Sequence, residues 1–205
     1  MRLGIALLLA AVTSAVAASS ARANGDPASD VLPFTPVFLS IKNPNTSPAG
    51  RDLLAVTRTA AKKKRPIRVA VISEPSDLGL IQSLWQKPQP YAEFLGKELF
   101  QFGKYNGTLV VSMPNGFGVN GPDAAKGKPA LARLPKPNTN DLERLGEDTA
   151  DAVRAVAAAN GYVLPASSAS GSGTPAWLII LAALGGAALV AGVAFVALRR
   201  WLLKP

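Results

Sequence analysis

The amino-acid sequence predicts an α/β fold: a small βαβ sandwich, helices packed on a short mixed sheet, followed by one C-terminal transmembrane helix. Three observations predict it. Two apolar runs of strand composition, Ile67–Ser73 and Thr108–Met113, flank an amphipathic stretch at Tyr91–Phe102. Strand, helix and strand over such a span form a βαβ unit, which implies parallel pairing and a right-handed crossover. Ala176–Leu198 is an uncharged run of 23 residues. The third observation is a mid-chain region of ordinary polarity between that run and an apolar N-terminus.

Arg2 precedes the apolar run Leu3–Val12, and small residues lead to Ala21-Arg22-Ala23. A positive start, an apolar core and an A-x-A site describe a secretory signal peptide over 1–23. Residues 24–48 are rich in proline and read as an extended N-terminal arm. Within it only Val37–Ile41 has strand composition, either as an edge strand or as part of the arm. The exported domain is expected over 49–163. Ser47-Pro48 opens a helix, serine as N-cap and proline in the first turn. That helix should run to about Lys64, with Leu53, Leu54, Thr57, Ala60 and Ala61 inward. The cations Lys62-Lys63-Lys64-Arg65 then suit its C-terminal dipole or form a patch for an anionic surface.

Ile67–Ser73, apolar and bounded by Pro66 and Pro75, reads as the central strand. Glu74–Asp77 is a turn, and Asp77–Trp85 a short helical piece. In the helix at Tyr91–Phe102, Tyr91, Leu95, Leu99 and Phe102 make one stripe, and Gly103 is placed to cap its end. Glu93 and Lys97 stand in the favourable i,i+4 order. Asn106-Gly107 turns the chain into Thr108–Met113, and Pro114-Asn115-Gly116 turns it back into a short third strand at Phe117–Asn120. Pro122–Pro137, with its prolines, glycines and cations, reads as a loop. Asn140 begins the last helix as N-cap, and Leu142, Leu145, Thr149, Val153 and Val156 share the face that should cover the sheet. Asn160-Gly161 ends it.

Residues 164–175 read as a linker. The run 176–198 would make a helix of roughly 34 Å, enough for a hydrocarbon core of about 30 Å. Its eleven Leu, Ile, Val and Phe residues favour the bilayer by roughly 3–7 kcal/mol. Arg199, Arg200 and Lys204 follow at once, which puts the tail 199–205 on the cytoplasmic side and the domain outside. Small residues recur four apart at Ala183, Ala187 and Ala191, a spacing that permits homo-oligomers through the span.

The composition excludes several chemistries. With no cysteine and no histidine in 205 residues, there is no thiol catalysis, no disulfide, no cysteine–zinc site and no serine–histidine hydrolase. The net charge of +9 falls to +4 between Asn24 and Pro175, where 17 basic residues face 13 acidic ones. That excess on an exported domain fits anionic headgroups and argues against nucleic acid as a partner.

Ligands of parallel sheets bind beyond the carboxyl ends of the strands. Glu74, Asp77 and Asn115 fall there, and Asp123 joins them if its loop folds back. Such oxygen donors suit calcium or magnesium, and they equally serve ordinary turns.

The run from the first strand to the second resembles the TPM domain of exported, membrane-anchored proteins. Val69-Ala70-Val71-Ile72, Pro75-Ser76, Leu78-Gly79, Tyr91-Ala92, Asn106-Gly107 and Leu109-Val110-Val111 carry the resemblance, which covers about Asp52 to Gly121. It implies a signal peptide with a C-terminal span, and, from some members, phosphatase activity and calcium binding. The segment Asn115–Gly121 departs from the family's pattern, which has acidic and basic residues there. The expected function is a non-catalytic binding or accessory module of the cell envelope, without a cofactor, whose partners are the bilayer and another envelope protein. The alternative is a TPM-like metal-dependent phosphatase.

Overall fold

The computed structural model describes residues 25–40 and 44–166. The expected signal peptide (1–23), the linker beyond 166, the span (176–198) and the tail (199–205) lie outside the described residues. Among the described residues no helix is long and apolar enough to cross a membrane.

The sheet has four strands in chain order: β1 (Val37–Leu39), β2 (Ile67–Val71), β3 (Thr108–Met113) and β4 (Gly116–Asn120). β1, β2 and β3 are parallel, with Val37 opposite Val69 and Ile67 opposite Thr108. β4 returns antiparallel through the tight turn after Met113. The fold is therefore α/β on a small mixed sheet, with Ile67–Val71 central as its composition requires.

Both faces of the sheet are buried, so the strands carry apolar residues at successive positions and the pleat divides them. Val37, Leu39, Val69, Val71, Val110 and Val119 enter one core. Phe38, Ala70, Ile72, Leu109, Val111 and Met113 enter the other. The second core is closed by α1 (Pro27–Val31) and α3 (Pro88–Gly103), and the first by α2 (Pro48–Lys62), α4 (Ala124–Leu131) and α5 (Leu142–Ala159). The last helix does cover the sheet.

The described part of the expected arm, 25–40 and 44–48, is not extended along its length. Asp26 caps α1, Ala28 and Leu32 are fully buried, and β1 pairs with β2 as an edge strand. The short local pattern concealed this, because a five-residue helix has no period to read. Ser47 caps α2 as expected, accepting from the Gly50 N–H. Val56 takes the inward place assigned to Ala61, which is exposed.

On α3, Tyr91, Leu95 and Leu99 are buried, whereas Phe102 is 65% exposed. Lys104, not Gly103, takes the left-handed cap with φ of 51°. Glu93 meets Lys128 at 3.3 Å across to α4. Pro122–Pro137 contains α4, although Gly127 and Pro129 disfavour a helix. Gly127 lets the helix lie against Val156 and Val119, and Leu131 and Leu134 are buried, so packing overrides propensity. Asp141, not Asn140, is the N-cap of α5, accepting from the Arg144 N–H at 2.8 Å.

Candidate functional site

The carboxyl ends of β1, β2 and β3 meet where the chain passes into the turn Pro75–Leu78. Asp77 is fully buried there. Its Oδ2 accepts from the Ser73 N–H at 2.8 Å, the Ser73 hydroxyl at 3.1 Å and the Glu74 N–H at 3.1 Å. Its Oδ1 accepts from the Ser40 hydroxyl just past β1. One carboxylate thus closes its own turn and ties the edge strand to the central one. Glu74 is exposed and contributes its backbone to this arrangement.

The turn is held from the other side by the start of the described chain. The Leu80 N–H donates to the Gly25 carbonyl. Gly79, at φ of 55°, lies so close to that carbonyl that a side chain would collide with it. Next to it Asp26, 1% exposed, accepts at Oδ1 from the Tyr91 hydroxyl at 2.9 Å and the Ala28 N–H at 3.1 Å. Among the described residues its Oδ2 has no partner.

Burial pushes the Asp26 carboxyl up to about 6, against the pull of those two donors. The folded value stands above that of the unfolded chain, so the folded state binds the proton more tightly. Stability should therefore fall as pH rises from about 4 to about 6, by about 3 kcal/mol from this group. Asp26→Asn is expected to remove that component. The check is the difference between wild-type and variant urea midpoints from pH 4.5 to 7.5. Parallel profiles would refute it.

Asn115, at the β3–β4 turn, is exposed and donates to the Gln86 carbonyl at 2.6 Å. It lines a groove of about 460 Å³ with Pro88, Gln89, Phe117, Lys128 and Leu131. Gly118 has no room for a side chain because the Pro88 carbonyl lies over it, which brings the start of α3 against β4.

Asp123 does not join this end of the sheet. Its N–H donates to the Thr108 hydroxyl at 3.3 Å, where β3 begins. Its Oδ2 accepts from the Tyr162 hydroxyl at 2.7 Å, and Arg65 lies 3.6 Å from Oδ1. Asn160 donates to its carbonyl. Asp123 thus fastens the end of α5 to the amino ends of the strands. Burial, then the bond to Asp123, push the Tyr162 phenol upward. The structure thus places Asp77 and Glu74 together, Asn115 at the same end with a separate partner, and Asp123 at the opposite end. Among the described residues no three acidic, histidine or cysteine side chains are grouped to hold a metal ion.

Sequence reasoning missed Asp26, Tyr91 as its donor, and Arg154. By helical spacing Arg154 falls off the face of Leu145, Thr149 and Val153, on the side of Glu147 and Asp151, so no local pattern marks it; its burial comes from Asp52 on α2.

Fold and site define a small α/β domain whose strand-end carboxylates are bonded into the structure. No family model, no curated protein and no solved structure matches this chain.

Proposed function

We propose that this chain is a single-pass membrane protein whose extracytoplasmic α/β domain is a non-catalytic binding or accessory module beside the bilayer, with another envelope protein as partner. The observation that carries this reading is the state of Asp77. Both its oxygens accept from hydroxyl or backbone donors in the surrounding turn, so the carboxylate most favourably placed for chemistry serves as a latch. The apolar runs at the two ends supply the export and the anchor, and the resemblance to the TPM layout agrees with them.

The test is purification of the tagged full chain from native membranes. It should resist alkaline extraction, its domain should be cleaved by protease added outside, and a stoichiometric envelope partner should co-purify. Release by alkali would overturn the anchor. Turnover of p-nitrophenyl phosphate by the purified chain, dependent on calcium or magnesium, would overturn the non-catalytic role in favour of the phosphatase alternative.

A further inference from the structure

The amino ends of β2 and β3 differ in chemistry from the carboxyl ends. Lys62, Lys63, Lys64 and Arg65 leave α2 here, Arg68 lies in β2, and Lys104 caps α3. Lys62, Lys63, Lys64 and Lys104 are exposed, and among the described residues no ion pair holds them. Asp123 is the one carboxylate bonded into this end, and it is buried and occupied by Tyr162 and Arg65. Asp30 and Glu98 lie about a turn back along α1 and α3. Asp141 caps α5 and Glu143, Glu147, Asp148 and Asp151 lie within its first ten residues, and α5 starts at the far end.

Two phenylalanines project at this end, Phe34 and Phe102, and a third, Phe100, stands on the opposite flank of α3. Phe34 is 88% exposed, Phe102 65% and Phe100 59%. The contacts tie the first two to one end of the fold. Arg68 donates to the Pro33 carbonyl at 3.2 Å and stacks on the Tyr105 ring at 4.0 Å. Tyr105 bonds the carbonyls of Pro66 and Thr108, and Gly103 faces Pro33 and Arg68. Phe100 lines a shallow groove with Tyr105 and Asn106 on the other flank of α3. Single exposed apolar residues are ordinary. Two exposed aromatic rings at the same end as six unopposed or singly opposed cations have the composition of an interfacial surface: rings enter the headgroup boundary while lysines meet anionic lipid.

We infer that this basic, aromatic end of the domain docks on an anionic bilayer. The inference rests on the anchored reading, since residues 166–175 then hold the domain within roughly 35 Å of the membrane. Docking sets the axis of the parallel strands along the bilayer normal and turns the Asp77 end and its neighbouring groove outward, toward a partner. A polyanionic nucleic acid would meet the same cations, but an anchored extracytoplasmic domain faces lipid first.

The chain contains no cysteine, so one introduced thiol labels uniquely. Full chain carrying Asn106→Cys, with a fluorophore, is placed in nanodiscs of phosphatidylcholine alone or with phosphatidylglycerol, some of the lipid brominated. The label should be quenched in anionic discs and much less in neutral ones, and a Glu147→Cys label at the far end should be quenched in neither. Neutralising Lys62, Lys63 and Lys64 to glutamine should shift the docked equilibrium by roughly fivefold per charge. Phe34→Ser with Phe102→Ser, at exposed positions that leave the core intact, should also release it. Equal quenching in both discs, or none lost in either variant, overturns the inference. If the chain fails to enter discs, the anchor fails instead. The Asn106 label is then read on added phosphatidylglycerol vesicles, where quenching supports the surface and its absence overturns it. A label that responds to duplex DNA or RNA and not to these vesicles also overturns it.

Discussion

Arg154→Ala should lower the stability of the domain by about 3–5 kcal/mol, as when one partner of a buried ion pair is removed. Arg154 is 3% exposed and uses all three of its nitrogens. Nη2 reaches Asp52 Oδ1 and Oδ2 at 2.7 and 2.8 Å, Nη1 reaches Asp151 at 3.4 Å, and Nε donates to the Pro165 carbonyl at 2.7 Å. The alanine leaves the Asp52 carboxylate, only 9% exposed, without its cation. It also releases the segment after α5, where Leu164 is buried in the first core. Asp52→Leu combined with Arg154→Leu should recover most of the loss, because the apolar pair leaves no buried charge. Urea midpoints of the four variants of a double-mutant cycle in mild detergent measure the coupling. A loss below about 1 kcal/mol for Arg154→Ala, the range of exposed pairs, would show that the pair carries little.

The same residue shows where sequence reading stops. The strands Ile67–Val71 and Thr108–Met113, their parallel pairing and the covering role of α5 were legible because each rests on local pattern: apolar runs between prolines, and apolar residues three and four apart. The antiparallel return was legible from Pro114-Asn115-Gly116. What stayed hidden depends on partners far along the chain. α1 is too short to show a period, and it exists because Asp26 caps it and Ala28 and Leu32 find the second core. α4 was masked by its own Gly127 and Pro129, yet Gly127 is what allows the approach to Val156.

The candidate site divides along the same line. Turn chemistry placed Glu74, Asp77 and Asn115 at one end of the sheet. Whether Asp123 joined them depended on the path of Pro122–Pro137. With α4 packed on α5 and β4, Asp123 stays beside Thr108, at the opposite end. The basic run Lys62–Arg65 was equally visible in sequence, but its alignment with Phe34, Phe102 and Lys104 required α1, α2 and α3 to be placed around one sheet.

Asp77→Ala is expected to cost about 3–4 kcal/mol, the sum that follows from orphaning the buried Ser73 N–H and the partly buried Glu74 N–H and weakening two hydroxyl bonds. Asp77→Asn keeps one acceptor oxygen and should cost less than half of that, since that oxygen can take the Oδ2 place while the amide NH2 donates to the Ser40 hydroxyl. The loss should be local first. Ser40 holds β1 at the sheet edge, its N–H donating to the Val71 carbonyl and its hydroxyl to Asp77. Hydrogen exchange should thus quicken at Phe38–Ser40 and at Ser73–Glu74 before the rest of the sheet opens. A metal role for the same carboxylate leads to a different result. Calcium or magnesium would then raise the melting temperature of the wild-type chain, and Asp77→Asn would abolish the rise. The latch predicts melting temperatures that do not respond to either ion, together with the full stability loss in ion-free buffer. An ion-dependent rise lost in Asp77→Asn would return Asp77 to the list of ligands and reopen the hydrolytic alternative. The stability loss alone, with exchange confined to β1 and the turn, leaves Asp77 as the bond that closes the carboxyl end of the parallel strands.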